Sequence, residues 1–214
     1  MGLSLFPIAI ELAALLLAVS LHESAHGWVA WRCGDPTARD AGRISLNPLR
    51  HLDPVGSLLV PLALAVAGAP VFGWARPVPV VLARTREPRR AQLLVSAAGP
   101  ASNLALASAS GAVFSLLRPT LEAGGASLWL EVAARFLLSS VAVNLVLAVF
   151  NLLPVPPLDG FGVLESALPR TWAARAMRLR RYGMPLLLVL LFTGAFDHLL
   201  RPVLGAANAI LFPR

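Results

Sequence analysis

Residues 22–26 read His-Glu-Ser-Ala-His, the pattern H-E-x-x-H. On a helix, side chains four apart share a face, so the imidazoles of His22 and His26 can reach one cation. Glu23 then leans over the open side of that cation. There a carboxylate can take a proton from an attacking water and hand it to a leaving amine. Two neutral imidazoles, a carboxylate and a water suit zinc, which lowers the pKa of its water toward about 7. The spacing predicts a hydrolytic centre with one Zn2+ per chain, His22 and His26 as ligands, and Glu23 as general base and acid.

The pentapeptide alone arises by chance in many chains; its setting gives it weight. It sits at the end of an apolar run, where each ionisable group costs about 2.5–3.5 kcal/mol on insertion scales. Idle residues there would be an unexplained burden. A third protein ligand is needed, and Asp159 is the best candidate. It follows Asn151-Leu-Leu-Pro-Val-Pro-Pro-Leu158 and precedes Gly160. The prolines hold the backbone extended, so the carboxylate can project toward a cation from an unwound helix end. The alternative is a turn or N-cap residue, since Asp-Gly is a common turn pair.

The elements that must position these residues are apolar. Of 214 residues, 57% are hydrophobic and 14% charged, against roughly 25% charged in soluble domains. Four runs, at 5–31, 91–117, 128–152 and 182–204, meet the roughly 20 residues a helix needs to cross a bilayer. The first lacks a basic n-region and is read as a retained helix rather than a leader. A fifth run, 57–69, carries Pro61 and Gly68 and predicts a short or re-entrant helix. Pro77-Val78-Pro79-Val80-Val81 predicts a short extended edge segment. Gly99-Pro100 predicts either a kink or an interruption whose freed backbone groups face protein or a cavity. The expected fold is an all-α membrane protein, a polytopic helical bundle with about four spanning helices. It forms one domain over 1–214, with a catalytic core at about 5–165 and a C-terminal helix at 182–204.

The formal net charge is +7, and all 18 basic residues are arginine. They fall in short loops without a long basic face or interleaved aromatics, which argues against a nucleic-acid partner. A lipid bilayer explains them better. If His22, His26 and Asp159 hold one ion, the chain must cross an even number of times between them. Runs 91–117 and 128–152 give two crossings, so 57–69 should not span. Arg32, Arg39, Arg43, Arg50, the cluster from Arg76 to Arg90 and the cluster from Arg170 to Arg181 then share one side. The positive-inside rule makes that side the cytoplasm. The N-terminus is expected outside, with the active site toward the cytoplasmic side of the cell membrane. Cys33 is the lone cysteine and cannot form an internal disulfide.

The combination of His22-Glu23-x-x-His26 with Asn151…Leu158-Asp159-Gly160 resembles the site-2 protease family of intramembrane metalloproteases, peptidase family M50. The segments Gly42–Pro48, His51–Gly56, Gly73–Pro79 and Ala98–Asn103 are similar to a compact prokaryotic branch of it. The resemblance runs over about 11–165, without the PDZ insertion or CBS domain of better-known members. It implies metal ligation by His22, His26 and Asp159, catalysis by Glu23, and a transmembrane protein substrate. It also implies a role for Asn151 in handling the substrate backbone or oxyanion. Asn103 is expected to bond freed carbonyls or line the catalytic cavity. His51 and Asp53 structure their loop or touch the site from outside the metal ligands. Asn144 is read as an interhelical hydrogen-bonding residue. The competing readings are a catalytically silent membrane protein of this fold that binds partner helices, and a metal-ion transporter. The transporter would need polar residues across the whole membrane, whereas the outer half is nearly all apolar.

Overall fold

The computed structural model describes residues 5–68, 73–124 and 127–213. Three long helices carry the architecture: α1 (Leu5–Arg32), α4 (Pro88–Glu122) and α5 (Leu128–Asn151). Each is long and apolar enough to cross a membrane. α4 starts with Pro88 at its first position, where the missing N–H costs nothing. α5 is capped by Ser127, whose hydroxyl accepts from the Leu130 N–H.

The three pack as a trio with α4 antiparallel to its neighbours. His26 meets Val95 across the α1–α4 seam, and Asn103 meets Asn144 across the α4–α5 seam. Small residues line these seams: Ala14, Ala18, Ala107 and Ala148 are buried. Between membrane helices lipid tails offer no hydrophobic drive, so close backbone approach and interhelical hydrogen bonds supply the packing. The outward faces remain apolar: Leu116 is 78% and Trp129 80% exposed, as a bilayer solvent requires.

Shorter elements fill the loops. α2 (Thr37–Asp40) follows α1. A π-helical turn (Pro54–Leu59), capped by Asp53, leads into α3 (Val60–Val66). This pair is too short to span, in line with the expected short helix at 57–69; Ala69 lies outside the described residues. After the turn at 152–158 come α6 (Asp159–Ala167), α7 (Arg170–Ala176), a 3-10 segment (Met177–Tyr182), α8 (Gly183–Phe192) and α9 (Ala195–Leu211).

Three expectations are refined. The run 182–204 is not one straight helix: α8 ends at a left-handed Gly194, φ 71°, and the chain turns by 64° into α9. Glycine takes that conformation without a Cβ penalty. Counted as one span, the bent pair gives the fourth crossing. Gly99-Pro100 does not interrupt α4, which continues through Pro100 and Pro119. The segment at 73–81 is extended but joins no β-ladder, and no strand forms among the described residues. Pro77 and Pro79 have no N–H, and side-chain carboxylates take the N–H groups of Val78 and Val81.

At the end of the trio away from α6, Phe114, Ala134, Val141 and Leu211 form a buried apolar cluster. α9 packs along α5: its last turn brings Leu211 to this cluster, while at the opposite end Phe196, in its first turn, packs edge-on against Phe150 near the end of α5.

Candidate metal centre

The H-E-x-x-H segment lies six residues before the end of α1, so both imidazoles project from one face toward α4. His22 is 7% and His26 9% exposed. Their Nε2 atoms stand 3.0 Å apart. Asp159 Oδ2 completes a triangle at 3.2 Å from His22 Nε2 and 3.3 Å from His26 Nε2. Four-coordinate zinc with bonds of about 2.0–2.1 Å places neighbouring ligand atoms about 3.3 Å apart, which these edges match.

The tautomers say the same. His26 Nδ1 lies 2.7 Å from the Val95 carbonyl, which can only accept, so Nδ1 carries the proton and Nε2 its lone pair. His22 Nδ1 lies 2.6 Å from Asn103 Oδ1. Asp159 Oδ2 is buried without a hydrogen bond. Two lone pairs and a carboxylate oxygen, crowded together out of water, repel one another unless a cation sits among them. His22, His26 and Asp159 are thus the group among the described residues whose donor atoms could hold a metal ion.

Glycines make the convergence possible. A Cβ on Gly99 would lie 2.5 Å from both His22 Cε1 and His26 Nε2. Its bare backbone is the wall against which the imidazoles rest. A Cβ on Gly160 would lie 2.1 Å from the Leu152 carbonyl oxygen, and one on Gly162 2.2 Å from Ser96 Oγ. These two close approaches clamp the start of α6 against the end of α5 and the side of α4. They fix Asp159, the first residue of α6.

Glu23, one position along, faces the strap at 73–81. Its Oε2 accepts the Val78 N–H at 2.9 Å, and its side chain makes no other hydrogen bond among the described residues. Further ties hold the strap. The Asp35 carboxylate accepts from Val81 N at 2.6 Å. The buried Arg43 guanidinium donates to the Arg76 carbonyl at 2.6 Å. Arg76 N donates to the His51 carbonyl at 2.8 Å. Beside the strap a cleft of about 280 Å³ reaches Asp159, with Val80, Gln92, Ser96, Pro157 and Arg180 on its walls.

The remaining predicted residues divide. Asn103 is fully buried and backs His22 rather than bonding freed carbonyls at the Gly99-Pro100 step. Asn151 donates its Nδ2 to Leu147 O, one turn back at 3.0 Å. His51 and Asp53 build their loop: His51 Nε2 bonds the Ser45 carbonyl at 2.7 Å, and Asp53 Oδ1 caps Val55 and Gly56. Neither is brought to the histidine pair. Asn144 bonds Asn103 at 2.7 Å, the interhelical role expected of it, whereas the sequence did not reveal Gly99 as a space-maker or the Asp35 anchor.

Residues 120–193 match the family model for peptidase family M50. The chain is 40% identical over 209 residues, 96% of its length, to a Bacillus subtilis protein, and covers 90% of it. It is 36% identical to a relative from Mycolicibacterium smegmatis, over 87% of this chain and 68% of the relative. It is 37% identical to one from Mycobacterium tuberculosis, over 84% and 65%. The three bear the name "Putative zinc metalloprotease", as YwhC in the first and Rip2 in the others. No solved structure matches the chain significantly.

Proposed function

The chain belongs to peptidase family M50, and from that premise we propose that this membrane metalloprotease cleaves peptide bonds within or beside transmembrane segments of other proteins. One observation carries the reading: three buried donor atoms, from α1 and from α6, at mutual distances of 3.0–3.3 Å. His22, His26 and Asp159 would hold one zinc ion per chain. Zinc there supplies a Lewis acid and makes hydroxide available near neutral pH.

The chain's own residues do the rest. Glu23 takes the proton of the attacking water and delivers it to the leaving amine. The Val78 N–H bonds one of its oxygens, which orients the carboxylate and leaves Oε1 for that proton. Asn151 has one amide N–H engaged with Leu147 and offers the other to the developing oxyanion. Asp159 borders the cleft beside the strap, which gives water and an unwound substrate a route to the centre. A transmembrane substrate hides its carbonyls in its own helix and must unwind to be cut. The strap can hold it extended by strand addition. Pro77 and Pro79 have no N–H, and those of Val78 and Val81 are taken. The bonds would then run through strap carbonyls and the Val80 N–H.

Arginine placement supports an orientation in a cell membrane with the N-terminus outside and the centre toward the cytoplasm. Glu23→Gln should keep zinc at one per chain and abolish cleavage of a membrane-embedded substrate. A zinc-replete Glu23→Gln protein that still cleaves would refute the role given to Glu23. Zinc-replete wild type that cleaves none of the cell's membrane proteins would favour a silent, helix-binding member of the fold.

A further inference from the structure

Behind His22 a line of buried polar groups crosses from α1 through α4 to α5. His22 Nδ1 lies 2.6 Å from Asn103 Oδ1, and Asn103 Nδ2 lies 2.7 Å from Asn144 Oδ1. Asn144 Nδ2 donates to the Ser140 carbonyl at 2.8 Å, and Ser140 Oγ lies 2.9 Å from Ser110 Oγ. Asn103 and Asn144 are fully buried and Ser140 is 1% exposed. No water need enter this line, so each group is bound by what its neighbour can offer.

The polarity of the line is forced from its α5 end. The Ser140 carbonyl can only accept, so the amide nitrogen of Asn144 must face it. Asn144 Oδ1 then faces Asn103 and demands a donor. Asn103 turns its amide nitrogen to Asn144 and its oxygen to His22. That oxygen can only accept, so His22 Nδ1 must carry the ring proton, and the lone pair sits on Nε2, facing His26 and Asp159. The Ala18 carbonyl lies 3.5 Å from Asn103 Nδ2 and favours the same amide orientation. It stands at the limit of hydrogen-bond reach, so the shorter Asn144 contact decides. His26 needs no such relay, because a backbone carbonyl fixes its tautomer directly.

We propose that Asn144 is a positioning residue for the metal centre, setting the tautomer of His22 through Asn103 from a helix that contributes no ligand of its own. The proposal rests on the reading of His22 as a ligand. Without the Asn144 oxygen, Asn103 is free to turn over. Its amide nitrogen would then donate to Nδ1 and move the ring proton to Nε2, where it blocks a cation. Asn103→Asp removes that freedom, because both carboxylate oxygens accept and either one holds the proton on Nδ1.

The test uses the full-length protein in lipid nanodiscs, with zinc titration and 15N spectra of its metal-free histidines. In wild type His22 should be a single Nδ1–H tautomer; an Nε2–H form would overturn the proposal without any variant. Asn144→Leu should weaken zinc binding by about 10–100-fold and mix the His22 tautomers while leaving those of His26 unchanged. The double variant Asn103→Asp/Asn144→Leu should recover most of the affinity. Ser110→Ala, which leaves the Ser140 carbonyl in place, should stay within about twofold of wild type. Wild-type affinity in folded Asn144→Leu, or a loss that the double variant does not recover, would overturn the relay while leaving the protease reading intact. A wild-type chain that binds no zinc would instead remove the protease reading, and the 15N spectra would still decide the relay.

Discussion

The Val78 backbone N–H donates to Glu23 Oε2 at 2.9 Å, tying the strap at 73–81 to the carboxylate at the heart of the H-E-x-x-H segment. Because the donor is backbone, side-chain changes at 78 should matter little and removal of the N–H should matter a great deal. A hydrogen bond to a charged group contributes about 1.5–3 kcal/mol. Val78→Pro should therefore lower kcat by about tenfold or more with zinc content unchanged, and Val78→Ala should remain within about threefold. Cleavage assays paired with metal analysis check this; a fully active Val78→Pro would detach the strap from catalysis.

Gly99 gives a steric prediction. A Cβ there falls 2.5 Å from both imidazoles, which are held by Asn103 and Val95 and cannot retreat far. Overpacking of this kind costs roughly 1–3 kcal/mol. Gly99→Ala should lose bound zinc and lower Tm. Gly111→Ala, whose new Cβ would meet Leu211 only at an ordinary contact distance of 3.4 Å, should behave as wild type. Metal analysis and thermal unfolding separate the two.

Asp35 predicts a pH dependence outside the spanning helices. Burial pushes its carboxyl up, but the Thr37 hydroxyl, the Val81 and Thr37 N–H groups and the Arg84 charge outweigh it and hold the carboxyl below 3.8. A depressed carboxylate stabilises the fold above its unfolded pKa, and that contribution is lost as pH falls through the folded value. Asp35→Asn should thus lower Tm at pH 7, and its gap to wild type should close as the pH is taken below about 4. A gap of constant size across that range would show that the charge on Asp35 is not what anchors Val81.

The proposed orientation is testable by labelling. With Cys33 replaced by alanine, a cysteine at Arg86 should react with membrane-impermeant reagents only from the cytoplasmic side. One at Ser127, before α5, should react only from outside. The reverse pattern would invert the topology.

The grouping of His22, His26 and Asp159 was legible in the sequence because its logic is local and chemical. H-E-x-x-H fixes two donors on one helix face, and the shortage of acids near membrane depth leaves Asp159. The even-crossing requirement also separated the short 57–69 run from true spans. What escaped was decided by partners distant in the chain. Gly99-Pro100 reads as a break, yet the glycine is there for His22 and His26, which sequence places some 75 residues away. The strap reads as a strand because alternating valines and prolines suit one, but its donors go to Glu23 and Asp35 rather than to a neighbouring strand. The 182–204 run passes any hydropathy test, and only the left-handed Gly194 reveals its bend.

Zinc K-edge X-ray absorption of the purified chain tests the central claim most directly. The account predicts a four-coordinate centre with two imidazoles and oxygen ligands at about 2.0–2.2 Å, with the spectrum altered or lost in Asp159→Ala and in His22→Ala. A spectrum without imidazole scattering, or one indifferent to both substitutions, would contradict it.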